Sequence, residues 1–417
     1  MLFLKECKKI LFSLTFLIYI IAVSGFYFTQ FVPDIEEKIS PPLQNSDDYG
    51  TIAKEIPEIL MPSATEGLIT EYLRGYYTAY PIGFYKEVKL SEKKSAQIVE
   101  IITEITGISK QELSEFEYDE NGTLINQTDG NGGFIPVYQA PELPEIRISD
   151  TMTYEKFRQL MRKADKIIGG GSDYSDDYIV ENFSLVPKTY EDALEDYNAV
   201  IEKDRISGAF ARLFCDYIGI IVSVLPVFVA VSLANADKKS RIEQLIYSRK
   251  ISSFKLIFTR FSALILMLSI PVILLSFIAT FNIEKLYSEN NIDFFAIPKM
   301  SVYWLIPNIL FSTALGIFLT EISSPLIAVF VQGAIWVGSV MGNTSSLTGS
   351  IGKFSLVCRH NSIYDRNYFL EDLNKFIFNR IFYTVLAIAI IILTIWIYSK
   401  KRNGGFYVIH KNSAHKS

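Results

Sequence analysis

The sequence predicts a mainly α-helical membrane protein in which six transmembrane helices carry a large, mostly helical extracytoplasmic domain, with some β-hairpin, between the first and second spans. Residues 217–236 and 261–283 contain no charged side chain. Each is long enough to cross a bilayer, which takes about 20 helical residues. The short loop between them is strongly basic, as is typical of cytosolic loops. Its Lys and Arg residues are Lys238, Lys239, Arg241, Arg249, Lys250 and Lys255.

Four more uncharged stretches complete the six predicted spans: residues 10–32, 300–320, 322–342 and 381–399. Glu321 and the helix-disfavouring Ser323, Ser324 and Pro325 predict a tight turn between the fourth and fifth spans. An even number of spans puts both termini on one side. Basic residues near both ends predict that this side is the cytosol: Lys5, Lys8, Lys9, Lys400, Lys401 and Arg402. The predicted outer loop also carries basic residues, which weaken the excess of positive charge on the cytosolic side without reversing it: Lys353, Arg359, Arg366 and Lys375.

The first span is predicted to be a signal-anchor helix. A cleaved signal peptide is the alternative, because Lys8 and Lys9 precede an apolar stretch that reaches small residues near 22–25. The apolar run nevertheless continues to Val32, beyond the core of about 7–15 residues that is typical of a signal peptide, and no A-x-A pattern ends it.

These spans divide the chain into four predicted segments. Residues 1–32 form the cytosolic amino terminus and first span, 33–208 the extracytoplasmic domain, 209–399 spans two to six, and 400–417 a basic cytosolic tail. The extracytoplasmic segment carries 17 Lys and Arg against 34 Asp and Glu. Such acidity favours solubility outside the cell, and an acidic ligand site is the alternative. No feature predicts binding to nucleic acid.

The positions of the cysteines indicate how the outer domain is stabilised and in which membrane the chain lies. Cys7, Cys215 and Cys358 all lie outside residues 33–208, so no disulfide framework stabilises the outer domain. Its length still suffices for a hydrophobic core of its own. An exported domain without cysteine, in a chain rich in Ile, Lys, Asn, Tyr and Phe, favours a bacterial plasma membrane.

Caps and apolar periodicity predict three helices early in the outer domain. Ser63 and Glu66 form a capping-box pattern that would open the first. Ser91 precedes the second, which Gly107 is placed to end, and the third begins near Thr153. Their apolar positions are Leu68, Ile69, Tyr72 and Leu73 in the first helix, Ile98, Val99, Ile101, Ile102 and Ile105 in the second, and Phe157, Leu160, Met161 and Ala164 in the third, which ends at residues 169–171.

A fourth helix is capped by Thr189 and Asp192 and continues toward the second span. Because neither proline nor glycine interrupts it before Gly208, we expect a nearly continuous helix over residues 189–233 that links the outer domain mechanically to the membrane. At the outer end of this span, Arg212 and Asp216 are four residues apart and are expected to pair.

Two acidic segments, residues 119–133 and 173–177, fit a metal site less well than a turn, because neither has the spacing of a calcium loop. Asn-Gly and Asp-Gly pairs favour turns, with a hairpin between residues 123–125 and 134–137. The aromatic segment 76–89 favours packed core over a ligand platform.

No catalytic, metal or cofactor site is predicted. Gly352-Lys353 lacks the upstream glycine of a phosphate-binding loop, since Leu347 occupies that position. The three histidines are scattered over the outer loop and the carboxyl-terminal tail, which disfavours a zinc site or a catalytic triad. The chain is therefore not expected to be an enzyme or to hydrolyse ATP.

The basic loop predicts a short amphipathic helix along the membrane surface, with Ile242, Leu245 and Ile246 on one face and Arg241 and Glu243 on the other. The order Glu243, Leu245, Arg249, Ile251, Lys255 and Arg260, leading into an apolar span, resembles the loop between spans two and three of type-2 ABC transporter permeases. Six spans and a basic amino-terminal helix are similar too. The chain departs from the family at Arg241-Ile242, where a glycine is usual, and at Tyr247, where a proline is frequent.

The resemblance implies a permease subunit of a bacterial ABC exporter, located in the plasma membrane. It would work as a homodimer or with a sister permease, and a separate cytosolic ATPase would dock on the loop. The coupling residues it implies are Arg241, Ile242, Glu243, Leu245, Ile246 and Arg249. The alternative is a membrane-anchored extracellular receptor or secretion-accessory protein without transport activity. Asn308, Ser312 and Thr313 of the fourth span are interpreted as helix-packing contacts.

Overall fold

The computed structural model describes residues 2–36, 38–46, 48–81, 85–114, 147–240, 246–248, 250–342 and 349–403. These fall into two compact units, one of residues 1–41 and 194–417 and the other of residues 42–193. In chain order the elements are α1 (Leu2–Leu11), α2 (Leu14–Phe26), β1 (Thr51–Ala53), α3 (Pro57–Arg74), β2 (Tyr77–Ala79), β3 (Lys86–Val88), α4 (Glu92–Thr106), α5 (Lys110–Ser114), α6 (Tyr154–Ile168), α7 (Ile179–Phe183), β4 (Leu185–Pro187), α8 (Tyr190–Asn198), α9 (Ser207–Val222), α10 (Pro226–Lys239), α11 (Ser253–Leu286), α12 (Ala296–Ile322), α13 (Pro325–Gly342), α14 (Arg366–Glu371) and α15 (Leu373–Arg402).

The first unit supplies the helices that could cross a membrane. Within the described residues, five segments are long and apolar enough: Leu14–Phe31, Ser207–Ala236, Ser253–Leu286, Ala296–Ile322 and Leu373–Arg402. The apolar stretch of α13 is shorter. The predicted turn between the fourth and fifth spans is confirmed, because α12 ends at Ile322, α13 begins at Pro325, and Ser323 leaves helical geometry at φ −137° and ψ −102°. The chain is thus mainly helical, with several helices that could cross a membrane.

Helix α12 lies at the centre of this unit and contacts α9, α10, α11, α13 and α15. Its buried Trp304 stacks on Phe369 and packs against Phe376. The first apolar helix joins the same core, where the buried hydroxyl of Tyr19 donates to the carbonyl of Leu268 at 2.8 Å. A single apolar core therefore holds the long helices together.

The amino-terminal helix and the first apolar helix are separate elements. Helix α1 ends at Leu11, and Ser13 adopts an extended conformation and caps α2, its hydroxyl accepting from the Phe16 amide at 3.2 Å. A serine in this position satisfies an otherwise unpaired amide, so it fixes the start of a helix. The two helices are thereby free to run in different directions.

The prediction of a nearly continuous helix over residues 189–233 is wrong. Helix α8 ends at Asn198, a π-helical turn follows, and Arg205 and Ile206 have φ of 48° and 62°. Such values are strained for residues with a side chain, so tertiary contacts must maintain them. Ile206 is fully buried, and the Asp204 carboxylate accepts from Arg366 at 2.9 Å. This break removes the rigid helical link on which the predicted mechanical coupling depended.

The second unit packs three helices, α3, α4 and α6, around its own apolar core. Within the described residues of this unit, two small antiparallel sheets accompany the helices. Strand β1 pairs with β4 in the register Ile52–Val186, and β2 pairs with β3 in the register Thr78–Glu87. Beyond β4, Thr189 and Asp192 exchange hydrogen bonds as the predicted cap of α8.

The sequence located two of the helices in this unit correctly. Helix α4 lies between Ser91 and Gly107, which has φ of 80°, and α6 begins after Thr153, whose hydroxyl accepts from the Lys156 amide. All the apolar positions predicted for these two helices are buried. The capping box predicted at Ser63 is wrong, because α3 begins six residues earlier at Pro57, a residue whose fixed φ and missing amide suit a first turn. The predicted hairpin lies outside the described residues.

Candidate functional site at the loop between the second and third apolar helices

The predicted coupling residues lie mostly outside the described part of the chain. Arg241, Ile242, Glu243, Leu245 and Arg249 are not described, whereas Ile246 is. The site is therefore characterised by Ile246 and by the residues that hold the two ends of the loop. These ends are the last turn of α10 and the first turn of α11.

Ile246 belongs to a small apolar cluster at one end of the first unit. It packs, half-buried, against the buried Leu256, Ile257 and Tyr398. Leu2, Tyr247, Ile251 and Ile395 line the same cluster. The cluster joins the loop to α1, α11 and α15, so displacement of Ile246 would be felt by three helices.

The carboxyl end of α15 fixes the loop through its backbone. Arg402 donates to the Tyr247 carbonyl at 3.0 Å and to the Ile251 carbonyl. The Tyr247 ring meets the Tyr398 ring edge-on, with centroids 5.6 Å apart. One guanidinium therefore holds the chain on both sides of residues 248–250, and the fork geometry of arginine suits this double contact.

An acidic side chain connects the amino-terminal helix to the third apolar helix. Glu6 is buried at 1% exposure, although it lies among lysines in the sequence. Its carboxylate is 3.0 Å from Lys9 Nζ and 3.7 Å from Nε of Arg260, which is itself buried. Burying charged groups is costly unless they are paired, so this contact fixes α1 on α11.

Sequence reasoning missed these anchoring residues, although weak signals were present. Glu6 is the single acid in a basic segment, and Arg260 marks the boundary of an uncharged run. Arg402 was assigned only to a topology signal. A single acidic residue among basic ones, or a charged residue at the end of an apolar span, could have been predicted to pair with a residue of another helix.

The second apolar helix is interrupted a second time, between α9 and α10. Residues 223–225 form a turn, and Pro226 has no amide to continue the helix. Side chains of neighbouring helices bind the freed carbonyls: Gln332 Nε2 donates to Ser223 O at 2.5 Å and Trp336 Nε1 to Ile220 O at 2.8 Å. Asn308, predicted as a packing contact, donates to the Ser223 hydroxyl at 2.8 Å. The interruption is therefore stabilised by hydrogen bonds from side chains of the neighbouring helices.

Two ion pairs of α9 correct the predicted Arg212–Asp216 pair. Asp216 is fully buried and accepts from Arg359 at 2.8 Å, while Arg212 donates to Asp204 at 2.7 Å. Arg212 therefore pairs with the break just before α9, whereas Asp216 pairs with the remote loop that carries Arg359. Beside them His360 is buried, and burial with the nearby Arg212 charge lowers the pKa of its ring to about 4.

The second unit holds a separate pair of carboxylates. Glu71 accepts from Tyr174 and from the Thr78 amide, both at 2.7 Å, and Asn182 donates to Asp173 at 2.9 Å. Burial raises the pKa of both acids, and with the Glu71 charge it brings the pKa of Asp173 to about 7. The folded unit holds this proton more tightly than the unfolded chain does. The stability it contributes is therefore present below about pH 4 and lost as pH rises through 7.

The described contacts at and beside the loop are an apolar cluster, backbone hydrogen bonds from Arg402 and the Glu6–Arg260 ion pair. Among the described residues, no three His, Cys, Asp or Glu side chains are grouped to hold a metal ion. In the acidic segment at 173–177, Asp176 pairs instead with Arg158 and Arg162. No protein-family model, curated protein or solved structure matches the chain.

Proposed function

We propose that this chain is the membrane-spanning permease subunit of a bacterial ABC exporter, and that a separate cytosolic ATPase presses on the loop between α10 and α11. The observation that carries the proposal is the anchoring of that loop. Arg402 holds it at Tyr247 and Ile251, and Ile246 packs into the adjoining apolar cluster. A loop that receives force needs firm contacts of this kind to pass it to the helices.

The anchors determine which helices the force would reach. The cluster around Ile246 includes residues of α11 and α15, and the Glu6–Arg260 pair adds α1. Displacement of the loop would therefore tilt these three helices together. On the side of α10 the force would end at the interruption over residues 223–225, which separates α10 from α9. In this proposal ATP binding by the partner biases one of two arrangements of the helices, which is what coupling requires.

The test is copurification of an ATPase with the full chain from native membranes. Wild-type chain is expected to bring down a subunit labelled by a photoreactive ATP analogue, and Ile246→Asp to lose it, because a charge cannot enter the apolar cluster. Reversing the charges of Glu243 and Arg249 together should have the same effect. Lys250→Gln, an exposed change in the same loop, is the matched control and should leave the yield unchanged.

Retained ATPase binding in both loop variants would refute the docking site. A wild-type chain that yields no ATP-labelled partner would refute the permease function itself. The cytosolic location of the loop, and of both termini, is tested separately by a membrane-impermeant thiol reagent on single-cysteine variants in intact cells. We expect no labelling there until the membrane is permeabilised.

A receptor without transport activity is the second candidate, and the second unit favours it. Residues 42–193 have an apolar core of their own, which includes Leu68, Ile102 and Phe157. A unit of this kind suits binding of a secreted protein or a cell-wall polymer. Deletion of the ATPase that copurifies would abolish function in the permease proposal and leave it intact in the receptor proposal.

A further inference from the structure

Backbone strain is concentrated at one junction of the first unit. Among the described residues, three non-glycine residues have positive φ: Arg205 at 48°, Ile206 at 62° and Asp365 at 57°. The first two lie between α8 and α9, and the third directly precedes α14. Positive φ is unfavourable for a residue with a side chain, and such strain persists only where other contacts maintain it. Contacts at this junction must therefore hold all three residues in place.

The carboxylate of Asp204 connects the two strained segments. Its Oδ2 accepts from Arg212 of α9 at 2.7 Å, and its Oδ1 accepts from Arg366 of α14 at 2.9 Å. Arg212 also donates to the carbonyl of Ile363 at 3.3 Å. The side chains of Asp204 and Arg212 are 8% and 5% exposed, so this is a buried network, in which the loss of one partner is costly. Asp204, Arg212 and Arg366 together form the latch of this junction.

The sequence around the break favours a different conformation. Between Thr189 and Ser207 it contains neither proline nor glycine, and for this reason it predicts a continuous helix through the junction. Neither Arg205 nor Ile206 favours positive φ. Conflicts of this kind between local and tertiary preference are expected at strained or functional sites. A single helix from α8 into α9 is therefore the conformation that the chain would favour without the latch.

A buried histidine lies beside the latch. The ring of His360 is fully buried and packs against the rings of Tyr368 and Phe369, with centroids 6.5 Å and 5.4 Å apart. Neither ring nitrogen has a hydrogen-bond partner among the described residues. The guanidinium carbon of Arg212 is 5.7 Å from the centroid of the same Phe369 ring. A proton added to His360 would therefore place a charge without a hydrogen-bond acceptor in a buried site near a cation.

The charges around His360 do not offset this cost. The charged or titratable groups near the ring come from four segments: Arg212 and Asp216 of α9, Asp204 of the break, Arg359, Tyr364 and Asp365 of its own loop, and Arg366 and Tyr368 of α14. Asp365, Asp204 and the Tyr364 backbone favour the charged ring, but burial and the Arg212 charge outweigh them and lower the pKa of His360 from its ordinary 6.5 to about 4. Protonation therefore favours any conformation that exposes the ring. The stability that neutral His360 gives to the latched conformation is complete above pH 6.5 and is lost as pH falls from 6.5 toward 4.

We propose that this junction is an acid-sensitive conformational switch between a broken helix held by Asp204 and a continuous helix from α8 into α9. Protonation of His360 releases the loop that precedes α14, the ion pairs of Asp204 open, and Arg205 and Ile206 relax to helical φ. Only the side of the membrane rests on the proposed function. In that topology the junction faces the outside of the cell, so the switch responds to external acid.

The experiment measures the distance across the latch by electron paramagnetic resonance of the full chain in detergent micelles. Spin labels are attached to Lys203→Cys and Asn367→Cys. Both positions are exposed and adjoin the paired Asp204 and Arg366, so the distance between the labels reports whether the latch is closed. Of the native cysteines only the partly exposed Cys7 needs replacement by serine, because the other two are buried.

We expect a single short distance at pH 7.5 and a second, longer distance at pH 5, because the ratio of open to closed molecules rises about 30-fold between these pH values. His360→Phe, which keeps an aromatic ring, and His360→Asn, which keeps a polar side chain, should both remove the response to pH. One variant remains informative if the other does not fold. Asp204→Asn should show the longer distance already at pH 7.5, because it removes the buried charge that Arg212 and Arg366 bind.

A matched pair of substitutions tests the strain. Arg205→Gly and Arg205→Ala both remove an exposed side chain, but only glycine adopts positive φ without steric cost. The ratio of open to closed molecules at pH 5 should therefore be lower in the glycine variant than in the alanine variant, by at least about tenfold. Equal ratios in these two variants would overturn the proposal. A wild type with one distance at both pH values would also overturn it, as would a pH response that persists in a folded His360 variant.

Discussion

Replacing Glu6 by glutamine tests whether the buried ion pair with Arg260 fixes the amino-terminal helix. At the observed 3.7 Å and an effective dielectric constant of about 20, the two charges attract by about 4.5 kcal/mol. Desolvation of the two groups offsets part of this attraction. Glu6→Gln removes one charge of this buried pair, so we expect a loss of about 3 kcal/mol in the free energy of unfolding.

The measurement is a double-mutant cycle on the full chain, unfolded in mixed micelles with increasing sodium dodecyl sulfate. Arg260→Met alone should cost a similar amount. The double variant should lose less than the sum of the two single losses, because each single variant already lacks the contact between the two charges, and the coupling energy should be about 2 kcal/mol. Lys9→Gln is the control. It removes only the exposed partner of Glu6, for which about 0–1 kcal/mol is expected.

A loss in the double variant equal to the sum of the two single losses would refute the reasoning, because it would mean that Glu6 and Arg260 do not interact. A cost of Lys9→Gln equal to that of Glu6→Gln would show that the pair with Lys9 is the important one. In the proposed mechanism, Glu6→Gln should also weaken coupling, measured as transport per ATP hydrolysed.

Three further substitutions test other parts of the structure. Asp173→Asn should stabilise the second unit by no more than about 4 kcal/mol at pH 8, and by no more than about 2 kcal/mol at pH 5, where the folded acid is protonated but the unfolded one is largely ionised; thermal unfolding at both pH values measures this. Asp216→Asn should cost about 3–5 kcal/mol in the same assay, because it leaves Arg359 without its buried partner. Gly171→Ala should cost more than Gly170→Ala, since both have positive φ but only the first places a Cβ 2.9 Å from a backbone oxygen. Equal costs of the two glycine variants would contradict this assignment.

The sequence predicted those helices whose signals are local. Helices α4 and α6 were located because a serine or threonine cap, an apolar period and a terminal glycine lie within one stretch of the chain. The turn between α12 and α13 was predicted for the same reason. The start of α3 was misplaced because Ser63 and Glu66 match a capping pattern, yet Pro57 starts the helix earlier.

Features fixed by distant contacts could not be predicted in this way. The positive φ of Arg205 and Ile206 carries no local signal, because neither residue favours it, and the break is maintained by Asp204 and the remote Arg366. Asp216 pairs with the remote Arg359, and Arg212 pairs with Asp204 at the break eight residues earlier, so the i, i+4 rule gave the wrong pair. At the candidate site, the sequence indicated the basic loop but not Glu6 or Arg402, whose roles depend on how helices meet.

The interruption over residues 223–225 bears on how the chain is assembled during synthesis. In the proposed membrane-spanning chain, carbonyls freed by the break cannot find partners in lipid, and the side chains that bind them, Gln332 and Trp336, are made 109 and 116 residues after the residues they bind. The ribosome therefore delivers the kinked segment well before its partners. Until they arrive, this segment must either stay beside the insertion machinery or enter the bilayer in a different, unkinked shape.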